Sequence, residues 1–267
     1  PFSPQERPNV KALLETGGPR LRVDLDAGTP IAIPLDPHGP QPAFFIDRPA
    51  SARPLRAGDY VGDVRLGGSC NAEVVELVPH CHGTHTECRG HLTRERLVVQ
   101  ETVYDAPCLA LLVSVRPEAG AADGYPRWDL EPLRRALAPA LDTGWPVEAL
   151  VLRTLPNDPA RRSLAEEHAE PDAVFSEEAI TWLPTQPLKH LLVDAPSLDP
   201  AHDQGALRVH RLWWCMAGNA GPEQLDPARR SATEMIFVPD ELADGPWWST
   251  LGLSPLKGDA TISRPTL

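Results

Sequence analysis

Residues 79–91 read Pro-His-Cys-His-Gly-Thr-His-Thr-Glu-Cys-Arg-Gly-His, so four histidines, two cysteines and a glutamate fall within thirteen positions. Imidazole, thiolate and carboxylate together suit Zn²⁺, whereas imidazole and carboxylate alone leave Mn²⁺ or Fe²⁺ open. Gly83 and the β-branched Thr84 and Thr86 disfavour a helix here, and in an extended chain alternate residues share a face. Cys81, His85, Glu87 and His91 then face one way, and His80 and His82 face the other, outside the ligand set. His85 and Glu87 would lie about 6.6 Å apart at Cα, close enough to share one ion. Cys81 and His85 would be roughly 13 Å apart if fully extended, so the chain must bend between them, and Gly83 is where it can. The alternative reading is a polar loop with surface histidines and a buried structural cysteine. That suits any one of these side chains taken singly, but the density of the set favours a site.

A site of this kind needs a rigid frame, and the sequence supplies one. "YVGDVRLGG" (60–68), "AEVVELVPH" (72–80), "CLALLVSV" (108–115), "EALVLRTL" (148–155) and "HLLVDAPSL" (190–198) are short β-branched or Leu-rich runs bounded by Gly, Pro and Asp, the pattern of strands in a mostly buried sheet. Helical periodicity marks 129–141 and 176–184, the second opening with Ser176 and acidic residues as an N-terminal signature. Strand, helix, strand, helix, strand between 106 and 198 predicts an α/β architecture with a partly parallel sheet. Pro residues crowd 29–54, where missing backbone donors forbid central strands and helix interiors, so this part of a Pro-rich N-terminal arm (1–58) in one domain spanning 1–267 should wrap the surface as an ordered arm or be partly mobile. Residues 218–231 read as a long surface loop, followed by a last strand, "ATEMIFVP" (232–239), that carries Glu234 among apolar neighbours.

Composition narrows the function classes. With 25 basic against 37 acidic residues the net charge is −12, and no basic cluster with interleaved aromatics appears, which excludes nucleic acid as a partner. The longest apolar run, 106–115, is half what a membrane helix needs, so no membrane span is expected. Five scattered cysteines without a pairing framework suit a reduced compartment, and no charged segment followed by an apolar run opens the chain, so the expected location is cytoplasmic.

The 79–91 stretch resembles the signature H-x-G-T-H-x-D-x-P-x-H of the metal-dependent hydrolase family that includes bacterial kynurenine formamidase, isatin hydrolase and cyclase-type proteins. Gly83, Thr84, His85 and His91 match in register, while Cys81 stands for the first histidine, Glu87 for aspartate and Arg89 for proline. "VDLDAGTPI" (23–31) is similar to the family's opening strand, "LLVDAPSLDP" (191–200) to its "GIDAPSVD" element, and "VHRLWW" (209–214) to the segment with a later ligand histidine. The resemblance implies a swivelling β/β/α fold with a mixed sheet, and a one- or two-metal site holding Zn²⁺, with Mn²⁺ open. It also implies hydrolysis of a C–N bond in a small amide, N-formyl or cyclic amide substrate. Cys81, His85 and Glu87 would bind a first ion, Glu87, His210 and Glu234 a second, and His91 would be the general acid/base. Relatives of this type are commonly homodimers or homotetramers, which the Trp-rich 247–248 region would suit as an interface.

Two other readings stay open on the residues. Cys81 or Cys88 activated by a neighbouring histidine would make a thiol hydrolase, although no helix-N-terminus signature surrounds either. The altered ligands would also suit a non-catalytic metal-binding protein on a degenerate hydrolase fold. The aromatic pairs Phe44–Phe45, Trp213–Trp214 and Trp247–Trp248 are candidates for lining a pocket, with at least one member of each expected in the core.

Overall fold

The structure, a computed structural model, describes residues 10–15, 20–117, 125–142, 144–163, 165–166, 173–200, 203–216 and 226–267. A seven-stranded mixed sheet organises them. In chain order its strands are β1 (His85–Glu87), β2 (Cys108–Val115), β3 (Val147–Thr154), β4 (His190–Val193), β5 (Ser231–Glu234), β6 (Gly245–Ser249) and β7 (Ala260–Ile262), and in space they run β6-β2-β3-β4-β5-β1-β7. The four central strands β2 to β5 are parallel, whereas β6, β1 and β7 join antiparallel to their neighbours.

Alternation along β2 explains why both faces are covered. Leu109, Leu111, Val113 and Val115 face one core, which also holds Leu133 and Leu137 of α2 (Leu130–Asp142), Ala179 and Ile180 of α3 (Glu177–Trp182), and Val209 and Trp213 of α4 (Arg208–Trp213). Cys108, Ala110 and Leu112 face a second core closed by Ile31, Val99, Ile236, Leu251 and Leu267. Burying both faces is what central parallel strands require. The Ser176 hydroxyl caps α3 by accepting from the Ala179 amide, as its sequence signature predicts.

Several expectations change. The 60–68 run forms only a two-residue strand, Tyr60–Val61, and a 3₁₀ turn, Val64–Leu66, outside the main sheet. Of the Pro-rich arm, Pro30 and Ala32 bridge to Thr266 and Ile236, and Ile31, Ile33, Phe44 and Ala50 are buried. The strand at 231–234 is not the last, since β6 and β7 follow it, and β7 is the one that reaches the candidate site. Residues 79–82 form not an extended strand but a helical turn, α1 (Pro79–His82). Pro79 at its first position supplies a fixed φ and has no amide to leave unpaired. The surface-loop expectation for 218–231 lies mostly outside the described residues; its end, Pro227–Arg229, is a 3₁₀ turn.

Candidate metal centre

Strand pairing assembles the centre. In the antiparallel ladder between β1 and β5, Glu234 stands opposite His85 and Ala232 opposite Glu87. Since residues two apart share a face, His85, Glu87 and Glu234 project together, and His85 Nε2 lies 3.3 Å from Glu234 Oε2. Thr86 projects the other way, where its hydroxyl meets those of Thr233 and Ser263 at 2.8 Å each and ties β1 to both neighbours. The predicted bend at position 83 is made by the α1 turn. Gly83 itself has extended dihedrals (φ 165°, ψ −174°), which any residue adopts.

His210 enters from α4. Asp199 accepts from the Val209 amide at 2.7 Å and the His210 amide at 3.1 Å, satisfying free donors at the start of that short helix. The same carboxylate takes the His210 Nδ1 proton at 2.5 Å, which aims Nε2 at Glu87 Oε1 (3.0 Å) and Glu234 Oε1 (3.3 Å). Glu234 Oε1 is also fixed by the Leu198 amide at 2.8 Å. His91 sits in the 3₁₀ turn Arg89–Leu92, which packs so closely that a Cβ on Gly90 would lie 2.4 Å from the Leu97 carbonyl. The His91 ring is 5.7 Å from that of His210, and its Nδ1 is 3.4 Å from Asp259 Oδ2.

The structure therefore brings together His85, Glu87, His210, Glu234 and His91, and it leaves out Cys81. Among the described residues, the groups able to share one ion are His80, His85 and Glu87; Glu87, His91 and His210; and His80, His91 and Asp259. Cys81 enters none of them. The resemblance puts Cys81 in the ligand set with a bend at Gly83; in the helical turn that makes the bend, consecutive side chains diverge by about 100°, and His80 is the one turned inward. The expectation that His80 lies outside the site is corrected for the same reason. His82 does lie outside it: Nδ1 accepts from the Val78 amide and Nε2 donates to the Arg48 carbonyl. Asp199 sits in the segment that carries the family resemblance and was not singled out as functional. Asp259 has no motif around it and comes in only because β7 pairs with β1.

The electrostatics are those of interleaved opposite charges. Burial pushes the Glu87 carboxyl up, and the His210 and His80 imidazoles outweigh it and hold it well below the usual carboxylate range. Burial and the Glu87 charge push Glu234 up, and His210 and His85 outweigh them, bringing it to about 2. Burial disfavours a charged His210, but Glu87, Asp199 and Glu234 raise it well above 6.5. At His80 burial is likewise outweighed, by Asp259 and Glu87, which bring it to about 10.

One further observation tests the fit to a cation. His85 Nε2 and both Glu87 oxygens are fully buried without a hydrogen-bond partner, the contacts to His210 and His80 being close but misaligned. His85 Nδ1 donates to the Gly83 carbonyl at 3.0 Å, so Nε2 carries the lone pair. A buried lone pair and a buried carboxylate left unsatisfied are costly, and a divalent cation between them satisfies all three atoms. The donors are nitrogen and oxygen only, so the preference for Zn²⁺ that rested on a Cys81 thiolate falls away. Nor does either cysteine suit a nucleophile, because burial pushes both the Cys81 and Cys88 thiols up.

The sequence model of the family described as "Putative cyclase" matches residues 20–200, more than half of the chain. The chain belongs to the cyclase family. Among solved structures, isatin hydrolase A from Ralstonia solanacearum superposes with a TM-score of 0.58 at 14% identity, covering 90% of this chain and 90% of its own. Isatin hydrolase A from Labrenzia aggregata gives 0.55 at 13% identity, covering 90% and 92%. A predicted metal-dependent hydrolase from Bacillus stearothermophilus gives 0.54 at 14% identity, covering 90% and 97%. At such identities these structures show the shared cyclase fold. No curated protein sequence matches the chain. Of the aromatic pairs, Trp213 and Trp214 are both core, their indole N–H groups donating to the Ser231 and Arg230 carbonyls. Among the described residues no helix is long and apolar enough to cross a membrane.

Proposed function

We propose that this cyclase-family chain is a metal-dependent hydrolase that cleaves a C–N bond in a small amide, N-formyl or cyclic amide. The observation that carries the reading is the set of orphaned buried atoms, His85 Nε2 and Glu87 Oε1 and Oε2, facing His210 and Glu234. Names of the superposed structures, isatin hydrolase and metal-dependent hydrolase, support it by likeness of fold.

His85 and Glu87 would hold an ion, Glu87 would also reach His210, and Glu234 stands 3.3 Å from both imidazoles. A bound divalent cation supplies Lewis acidity, polarising a carbonyl and lowering the pKa of water from 15.7 toward about 7. The remaining chemistry belongs to the chain. Asp199 fixes the His210 tautomer, and the Gly83 carbonyl fixes that of His85, so each imidazole, in the neutral form that binds a cation, presents its lone pair inward. His91 is only half-buried, and its Nδ1 rests against Asp259. That leaves Nε2 as the atom that gives a proton to the leaving nitrogen, a transfer worth about 10²–10⁴-fold.

The test is turnover of a panel of N-formyl amines, small amides and cyclic imides before and after chelation, after metal is restored, and after cysteine alkylation. Activity should vanish on chelation, return with Zn²⁺ or Mn²⁺, and survive alkylation. Activity that withstands chelation and dies on alkylation would establish the thiol reading instead.

A further inference from the structure

His80 and Asp259 are the two groups in the centre that no resemblance assigns. His80 Nε2–H donates to Asp259 Oδ2 at 3.0 Å. Since a carboxylate only accepts, Nε2 bears a hydrogen, so the neutral ring that a cation would bind has its lone pair on Nδ1. That Nδ1 points inward, 3.3 Å from Glu87 Oε2, and one ligand atom each from His80, His85 and Glu87 lies within 4.8 Å of the others. The His80 ring meets the His85 ring edge-on at 5.1 Å between centroids.

The arrangement mirrors the one at His210. There Asp199 holds Nδ1 and Nε2 meets Glu87; at His80 Asp259 holds Nε2 and Nδ1 meets the other Glu87 oxygen. Glu87 thus lies between two imidazoles, each backed by its own carboxylate. The fold fixes both partners. Ala260 pairs with Glu87 across β7 and β1, and the Cys88 amide donates to the Asp259 carbonyl at 2.9 Å, which sets Asp259 beside α1. The helical turn then decides which of residues 80 and 81 faces inward, because the two cannot point the same way.

We propose that His80 is a metal ligand through Nδ1, occupying the place that the family resemblance gives to position 81, and that Asp259 is its positioning residue. The ligand has moved one residue along the chain, and a carboxylate from the bend just before β7 has come in to fix its tautomer. The proposal rests on the metal centre described above and adds a chain-specific ligand to it.

The experiment measures affinity for Co²⁺ by competition with a chelator in the wild type and in His80→Ala, Cys81→Ser and Asp259→Asn, with thermal unfolding of each metal-free protein as the folding control. Cys81→Ser should leave affinity and the cobalt visible spectrum unchanged, and Asp259→Asn should weaken affinity about 10–100-fold. His80→Ala should weaken it by at least as much, with unfolding intact. X-ray absorption on the Zn²⁺-bound wild type needs no variant. It should show nitrogen and oxygen neighbours at about 2.0–2.2 Å and no sulfur at about 2.3 Å. A sulfur neighbour, a collapse of affinity in Cys81→Ser, or a folded His80→Ala with wild-type affinity overturns the proposal and leaves the metal centre standing. A folded wild type that binds no Co²⁺ or Zn²⁺ overturns both.

Discussion

The carboxylate of Asp199 does two jobs that one substitution separates from folding. Oδ1 accepts from the Val209 amide, and Oδ2 accepts from the His210 amide and from His210 Nδ1. Asp199→Asn keeps the shape and one accepting oxygen, which can continue to cap α4. The new NH₂ group must then face the His210 N–H groups, where donor meets donor, and the imidazole, on becoming neutral to bind metal, keeps its proton on Nε2 rather than Nδ1. That proton sits where the lone pair must be, between Glu87 Oε1 and Glu234 Oε1. Loss of such a backing carboxylate weakens metal affinity typically about 10–100-fold, or about 1.4–2.8 kcal/mol at 1.4 kcal/mol per decade. The lost charged hydrogen bond should also lower the stability of the metal-free protein by ~1.5–3 kcal/mol. Chelator competition reads the first quantity and urea unfolding the second. An Asp199→Asn protein with wild-type affinity for Zn²⁺ and Mn²⁺ would refute the assignment of His210 as a ligand aimed by Asp199.

Other expectations follow from the same geometry. His91→Ala should keep its metal content and lose about 10²–10⁴-fold in turnover; an equal loss of metal in elemental analysis would make His91 a ligand rather than a proton donor. Metal-free stability should crest near pH 6.5. His80, raised to about 10, adds stability that is full below 6.5 and drains away as pH rises through 10, and His210 acts in the same direction. Buried His190, pushed down to about 3 by burial and by Lys189, costs stability as pH falls below 6.5. A urea midpoint that climbs steadily from pH 6.5 to 10 in chelator-treated protein would contradict these shifts. Added metal should reverse the alkaline decline, because ligands bind it deprotonated.

The alternation of the 79–91 stretch correctly paired His85 with Glu87, because those two residues do lie on one strand. The same alternation fails at 79–82, where α1 replaces the strand and turns His80 toward Glu87. Thr84 and Thr86 argue against a helix, yet both lie after Gly83, and Pro79 at a first helical position was the signal for the turn before it. His210 and Glu234 came from resemblance, and no local pattern announces that β1 will pair with β5 and set Glu234 opposite His85. Asp259 was illegible for a plainer reason: its neighbours are ordinary loop residues, and only the non-local pairing of β7 with β1 brings it in. The central strands were readable because parallel strands buried on both faces leave continuous apolar runs, as "CLALLVSV" does. The short edge strand β7 leaves almost no such trace.

On the proposed function, a divalent cation belongs between β1, β5 and α4. Elemental analysis of protein equilibrated with Zn²⁺ or Mn²⁺ and freed of excess ion tests it most directly. At least one ion per chain should remain in the wild type, and Glu87→Ala, which removes both orphaned oxygens at once, should retain none. Folded wild-type protein without bound metal, or Glu87→Ala with a full complement, would contradict it.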